Sequence, residues 1–399
     1  MSSASVRWSR LPRLTAVVAV VLFGCRGAAP VAPRDLGAAG WQVDAQVDAS
    51  GVAVAGDATY ATTGPAVVRL DGGRETWRVA IPAAGGAVAA SGDLVAAAIH
   101  GTGAIDGLAL GLRGDPGAAI VGLAASDGAR RWLVGVGATS WARVRAVVAY
   151  GDGVAIAGSF AGTLRIGDRV VSSAGDSDGF WAVLDRAGAV QRLARMGGLG
   201  ADAVAGLAAL PDGALAIAGT YAGPAELDDV ALPPLYTGDF GDGFVAVVET
   251  GGAMRWARSW GNAGGDACAG VVATADGVAV AATVRGVVDV SGRRVDAHGG
   301  ADGLVAFFDR TGAVRGTILV GGSDFDGLTA IAGQGDRVVV GGWFSGTLDG
   351  PGGALVAAGG DDALLAVVTP DGVAALEAVS SDAAATVRAV ATDATTWAA

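Results

Sequence analysis

The stretch DGFWAVLDRAGAV, residues 178–190, recurs along the chain: DGFVAVVETGGAM begins at Asp242, DGLVAFFDRTGAV at Asp302 and DALLAVVTPDGVA at Asp362. A looser copy, AAIVGLAASDGAR, begins at Ala118, and GPAVVRLDGGRETW at 64–77 is looser still. The spacing is close to 60 residues. A glycine falls ten residues after each of the five clearer anchors, at Gly128, Gly188, Gly252, Gly312 and Gly372. A fixed period of this length is the mark of a repeat architecture.

Each period holds more than this segment. Upstream stand two apolar runs around a turn, as in VAGLAALPDGALAIAG (204–219), CAGVVATADGVAVAA (268–282) and LTAIAGQGDRVVVGG (328–342). A Gly/Asp turn between short β-type runs signals a hairpin. A bend with a fixed glycine follows: GSFAGTL (158–164), GTYAGPA (219–225), GWFSGTL (342–348). Then comes the anchor segment, and then a more polar run such as AMRWARSWG (253–261). Each unit therefore carries four short strands. Nothing after residue 25 keeps a helical period.

Repeated four-stranded antiparallel units predict an all-β fold, a β-propeller with blades of about 60 residues. Runs such as ALAIAG are apolar on both faces, as strands covered by a blade on either side must be. Fourth strands carry Arg130, Arg131, Arg192, Arg195, Arg255 and Arg258, as an outer edge requires. Seven first strands and six complete sets predict six blades. The C-terminal run TVRAVATDATTWAA is expected to close the ring against the N-terminal blade. Seven blades, one of them fragmentary, is the alternative.

The pattern GG..D, hairpin, G-aromatic-x-G, D-G-F-x-A, G, W resembles the bacterial SBBP-type β-propeller repeat, common in secreted and surface proteins. The resemblance spans about residues 41–399 and is closest over 158–368. It implies a propeller and no single activity.

The N-terminus reads as an address. Arg7, Arg10 and Arg13 precede an apolar segment of 11 residues, 14–24, too short to span a bilayer. Leu22-Phe23-Gly24-Cys25 resembles the lipobox of bacterial lipoproteins, although Phe23 is bulkier than usual there. The resemblance implies that Cys25 is acylated and that residues 1–25 are a signal peptide. Cleavage after Ala29 is the alternative. Arg26, not Asp, follows Cys25, so the common inner-membrane retention signal is absent. Residues 26–40 read as a flexible tether and 41–399 as the propeller. The expected location is the bacterial envelope, at the outer membrane or cell surface, with lipid contact through the N-terminus alone.

Composition sets exclusions. The 399 residues are 52% hydrophobic, mostly Ala and Val cut by 68 glycines, and carry a net charge of −12. Such a charge disfavours nucleic acid as a partner. All 27 basic residues are arginine, read as the bias of a GC-rich genome. With Cys25 assigned to lipid, Cys268 in DACAGVV is left as a buried, inert thiol.

Candidate chemistry is sparse. Asp176 and Asp178, and Asp239 and Asp242, could serve calcium, but no loop holds three acids at the D-x-D-x-D-G spacing. Structural turns are the expected role, with no cofactor required. His100 and His298 sit in different units at non-equivalent positions and read as surface or loop residues. Trp77, Trp132 and Trp256 each lie four residues after a turn glycine, a packing position repeated by the fold. The RLDGGRETWRVA segment is similar to quinoprotein propeller repeats, but no set of charged metal ligands accompanies it. The longest insertion, within 226–242, makes Leu235 and Tyr236 the expected contact residues. The functional expectation is a non-catalytic binding or scaffold module for an envelope protein or glycan. The alternatives are an enzyme working in the propeller channel and a calcium-stabilised structural envelope protein.

Overall fold

The computed structural model describes residues 50–379 apart from 82–83, 102, 106–107, 111–116, 233–240 and 359. It also describes 386–392 and the N-terminal strands Ala16–Phe23, Arg34–Asp35 and Trp41–Gln46. Cys25, Leu235, Tyr236 and Asp239 lie outside the described residues. The architecture is a six-bladed β-propeller of four-stranded antiparallel sheets, spanning 51–80, 84–138, 141–198, 203–260, 267–320 and 326–379. Every named element is a strand.

Within a blade the strands follow chain order outward from the axis. In the fifth blade Ala267–Ala273 pairs with Gly277–Val284, which pairs with Asp302–Asp309, which pairs with Val314–Val320. The Asp-Gly anchor opens the third strand in the third, fourth and fifth blades, and Asp362-Ala363 opens it in the sixth. Inner strands are covered on both faces, as their double-sided apolar pattern predicts. Val278, Val280 and Phe308 pack on the fourth blade beside Trp256, while Ala279, Ala281 and Phe307 pack on the sixth beside Val340 and Leu364. The core is therefore a ring of layers between blades. Apolar burial is the main stabilising term, at about 25 cal/mol per Å², and it is spread over every junction.

The bends after the second strands are more than turns. Thr163–Ile166 and Arg169–Ser172 form a hairpin that pairs with Arg130–Ala138, the outer strand of the preceding blade. Ala225–Leu227 and Val230–Leu232 do the same against Val190–Gly198. These arms cover strand edges that would otherwise invite pairing with another chain.

The C-terminal strand Thr386–Thr392 stands between the sixth and first blades and lines the axis, as a ring-closing element should. Its hydrogen-bonded neighbour is not the first blade, as the sequence had led us to expect, but Ala16–Phe23. It thus belongs to a separate sheet with Trp41–Gln46 and Arg34–Asp35. Its Val387 is fully buried, and Gly341 of the sixth blade leaves the room that side chain fills.

Candidate functional site

Two polar systems repeat around the ring. The first lies on the rim where third strands begin. Asp178, Asp242, Asp302 and Asp362 are at most 1% exposed. Asp178 Oδ2 accepts the Ala174 N–H at 3.0 Å, Asp302 Oδ2 the His298 N–H at 2.5 Å and Asp362 Oδ2 the Ala358 N–H at 3.0 Å. These three aspartates thereby tie down the loop four residues before them. A second aspartate, 24 residues on, opens the next blade and does the same. Asp202 accepts from Gly198 and Ala222, Asp266 from Asn262 and Arg285, and Asp326 from Gly322 and Ser345. Burial pushes Asp202, Asp266 and Asp326 up to about 6, against the opposing pull of these N–H donors.

The paired carboxyls meet at the junction between blades. Gly197 marks the spot: a Cβ there would lie 2.7 Å from Asp202 Oδ2 and 2.8 Å from Asp178 Cγ. Arg195 Nη1 stands 2.7 Å from Asp178 Oδ2 and supplies the neutralising charge. At the next-but-one junction no arginine intervenes. There the Asp326 carboxyl is close enough to hydrogen-bond Asp302 once it holds a proton. Of the aspartates considered for calcium, Asp178 and Asp242 are turned inward, and Asp176 is exposed. Among the described residues no group of three His, Cys, Asp or Glu side chains converges.

The second system is the channel. Innermost strands carry a β-bulge at matching places: one residue is skipped in the pairing at Arg145, Ala205, Ala269 and Thr329. Arg388 is skipped likewise in the C-terminal strand. A bulge re-aims the residue it contains, and all five line the axial cavity of about 230 Å³. Side chains from the preceding blade hold three of these bulges. The N–H of Val144 goes to His100 Nε2 at 3.1 Å, that of Cys268 to Thr220 Oγ1 at 3.2 Å and that of Leu328 to Thr283 Oγ1 at 3.2 Å.

His100 is therefore not the surface histidine its isolation in the sequence implied. It faces Ala118 across the strand pair as Thr220 faces Gly243 and Thr283 faces Gly303, so the position is equivalent in the three blades. Burial lowers its pKa and Arg143 adds to the lowering, in keeping with an Nε2 lone pair that accepts the Val144 N–H. His298 is exposed and belongs to a different blade. The signal for the His100 role was its register against threonine in the other repeats.

Trp77, Trp132 and Trp256 clamp neighbouring blades. Their Nε1 atoms each donate at 3.0 Å, to the carbonyls of Ala125, Arg186 and Arg310. Gly188 and Gly312, at φ +82° and +80°, bring the next blade's turn flat against the indole; a Cβ would come within 2.8 Å of it. That contact accounts for the glycine at 128, 188 and 312, each against a tryptophan; Gly252 lies against Arg192 instead, and a Cβ at Gly372 would meet no atom within 4 Å. Cys268 is buried, and burial pushes its thiol up to about 12, which keeps it inert.

No protein-family model matches the chain, and no curated protein is similar to it. Solved structures similar to it include hydrazine synthase from Kuenenia stuttgartiensis, at 12% identity over 81% of this chain and 77% of that one, TM-score 0.47. BamB from Moraxella catarrhalis is similar at 16% identity over 75% and 82%, TM-score 0.34. A europium-containing methanol dehydrogenase is similar at 10% identity over 88% and 80%, TM-score 0.41. These likenesses are distant, and the propeller stands on the pairing of the chain's own strands.

Proposed function

We propose that this propeller is a lipid-anchored module of the bacterial cell envelope, of the SBBP-repeat type, that binds another envelope component without catalysing a reaction. The observation that carries the reading is the rim where first strands begin. Its recurring aspartates are spent on joining blades, whereas Leu199 and Phe325, in loops that precede Asp202 and Asp326, are 78% and 54% exposed. Large apolar side chains displayed on a rim whose recurring anchor aspartates are buried suit contact better than chemistry. Asp242, which follows the insertion holding Leu235 and Tyr236, lies on the same rim. A groove of about 480 Å³ lined by Val230, Leu232, Met254 and Arg258 flanks the arm from which that insertion continues.

Two measurements test this. A Cys25→Ala variant should move from the membrane to the soluble fraction on fractionation of the producing cells; unchanged partition would remove the lipid anchor. A photo-crosslinking residue placed at Leu199 or Phe325 should trap a discrete envelope component, and one at Val170, exposed on an arm, should not. Equal trapping at all three positions would defeat the assignment to this rim.

A further inference from the structure

We propose that the axial channel holds a small oxyanion, bound through Arg145. The position is built by the fold: the bulge between Val144 and Ala146 takes Arg145 out of the strand pairing and sets it on the channel lining. The equivalent bulges place Ala205, Ala269 and Thr329 there, and Arg388 enters from the C-terminal strand. Two guanidinium side chains thus line one cavity, otherwise walled by small and apolar side chains and two hydroxyls, with no carboxylate among its lining residues. That is unusual in a chain with 39 acidic residues against 27 basic ones.

Arg145 has no hydrogen-bond or ion-pair partner among the described residues. Most other arginines of the blades do: Arg69, Arg131, Arg192, Arg195, Arg255 and Arg315 all reach carboxylates. Arg145 is exposed to the channel, and its cation is disfavoured by partial desolvation and then by Arg143. A guanidinium so placed is stabilised by an anion that accepts its planar fork of donors, as phosphate or carboxylate does. The cavity is smaller than the roughly 300–1,000 Å³ typical of drug-sized pockets, which points to a single phosphate or a small carboxylate. The inference goes beyond the envelope-binding reading and does not depend on it: the purified chain alone should bind the anion, with or without anchor or partner.

The test is thermal unfolding of the full-length protein in sodium phosphate and in sodium citrate, each against sodium chloride at equal ionic strength. A site filled at about 100-fold its Kd should raise Tm by about 3 °C over the chloride control. Phosphate alone raising Tm assigns phosphate; citrate alone assigns carboxylate. Arg145→Ala should abolish the rise, and Arg145→Lys, which keeps charge but loses the fork, should shrink it. Arg145→Met serves if the alanine variant does not fold. No rise over chloride in the wild type, or a rise that survives Arg145→Ala or Arg145→Met, overturns the proposal.

Discussion

The imidazole of His100, in the second blade, accepts the backbone N–H of Val144, in the third, at 3.1 Å. This one bond fixes the bulge that carries Arg145 to the channel. Because Nε2 is the acceptor, the ring must be neutral at that atom. His100→Ala would leave the Val144 N–H without its partner, at a cost of about 1–3 kcal/mol. A fall in the urea midpoint at unchanged m-value would show it. His100→Thr should recover part of the loss, since Thr220 and Thr283 hold the equivalent bulges.

Stability should fall as pH rises from about 4 toward about 6. Asp202, Asp266 and Asp326 have folded-state values near 6, above the ordinary 3.8, because burial disfavours their charged forms. A raised carboxyl contributes stability below its unfolded value and loses it as pH climbs through the folded one. Each shift is worth on the order of 2–3 kcal/mol. His100 acts in the opposite sense: its lowered value withdraws stability as pH drops below about 6.5. Three carboxyls outweigh one imidazole between about pH 4 and 6, and above that window neither the folded nor the unfolded carboxyls hold protons to lose. Urea midpoints measured from pH 4 to 8 should therefore decline up to about pH 6 and then level off, and Asp326→Asn should flatten part of the decline. A profile rising toward pH 8 would contradict the buried pairs.

Trp256 and Gly312 form one contact across the fourth and fifth blades. Trp256→Phe removes the 3.0 Å bond to the Arg310 carbonyl and should cost about 1 kcal/mol. Trp256→Ala also empties the space over Phe308, its ring neighbour at 5.9 Å, and should cost about 3–5 kcal/mol. Gly312→Ala should destabilise by positive φ and by collision. In Trp256→Ala only the backbone penalty should remain, so a double-mutant cycle should show coupling of the two sites.

Asp178 is ion-paired with Arg195. Arg195→Ala should strand a fully buried carboxylate and lower stability by about 3 kcal/mol or more. Adding EDTA or Ca²⁺ to the wild type should leave Tm unmoved. A rise with Ca²⁺ that EDTA reverses would reinstate the calcium reading of the rim aspartates.

The propeller was legible in the sequence because its blades repeat. The 60-residue period, the Gly/Asp hairpins and runs apolar on both faces allow few arrangements besides stacked four-stranded sheets. The tryptophan spacing and the turn glycines were equally plain, since one local geometry recurs at three of the junctions. The channel was not legible. A bulge shifts pairing by one residue and leaves no mark in the apolar pattern, so nothing in the sequence set Arg145 apart. The pairing of Asp302 with Asp326 was hidden for a different reason: residues 24 apart meet only when two blades stack. The arms that extend a preceding blade depend on which edges lie open once the ring has formed. The sequence alone determined the repeating unit, because hydrophobic periodicity and turn chemistry act over neighbouring residues. Tertiary structure decided which polar groups meet, because burial and contact across the ring arise only when the blades assemble.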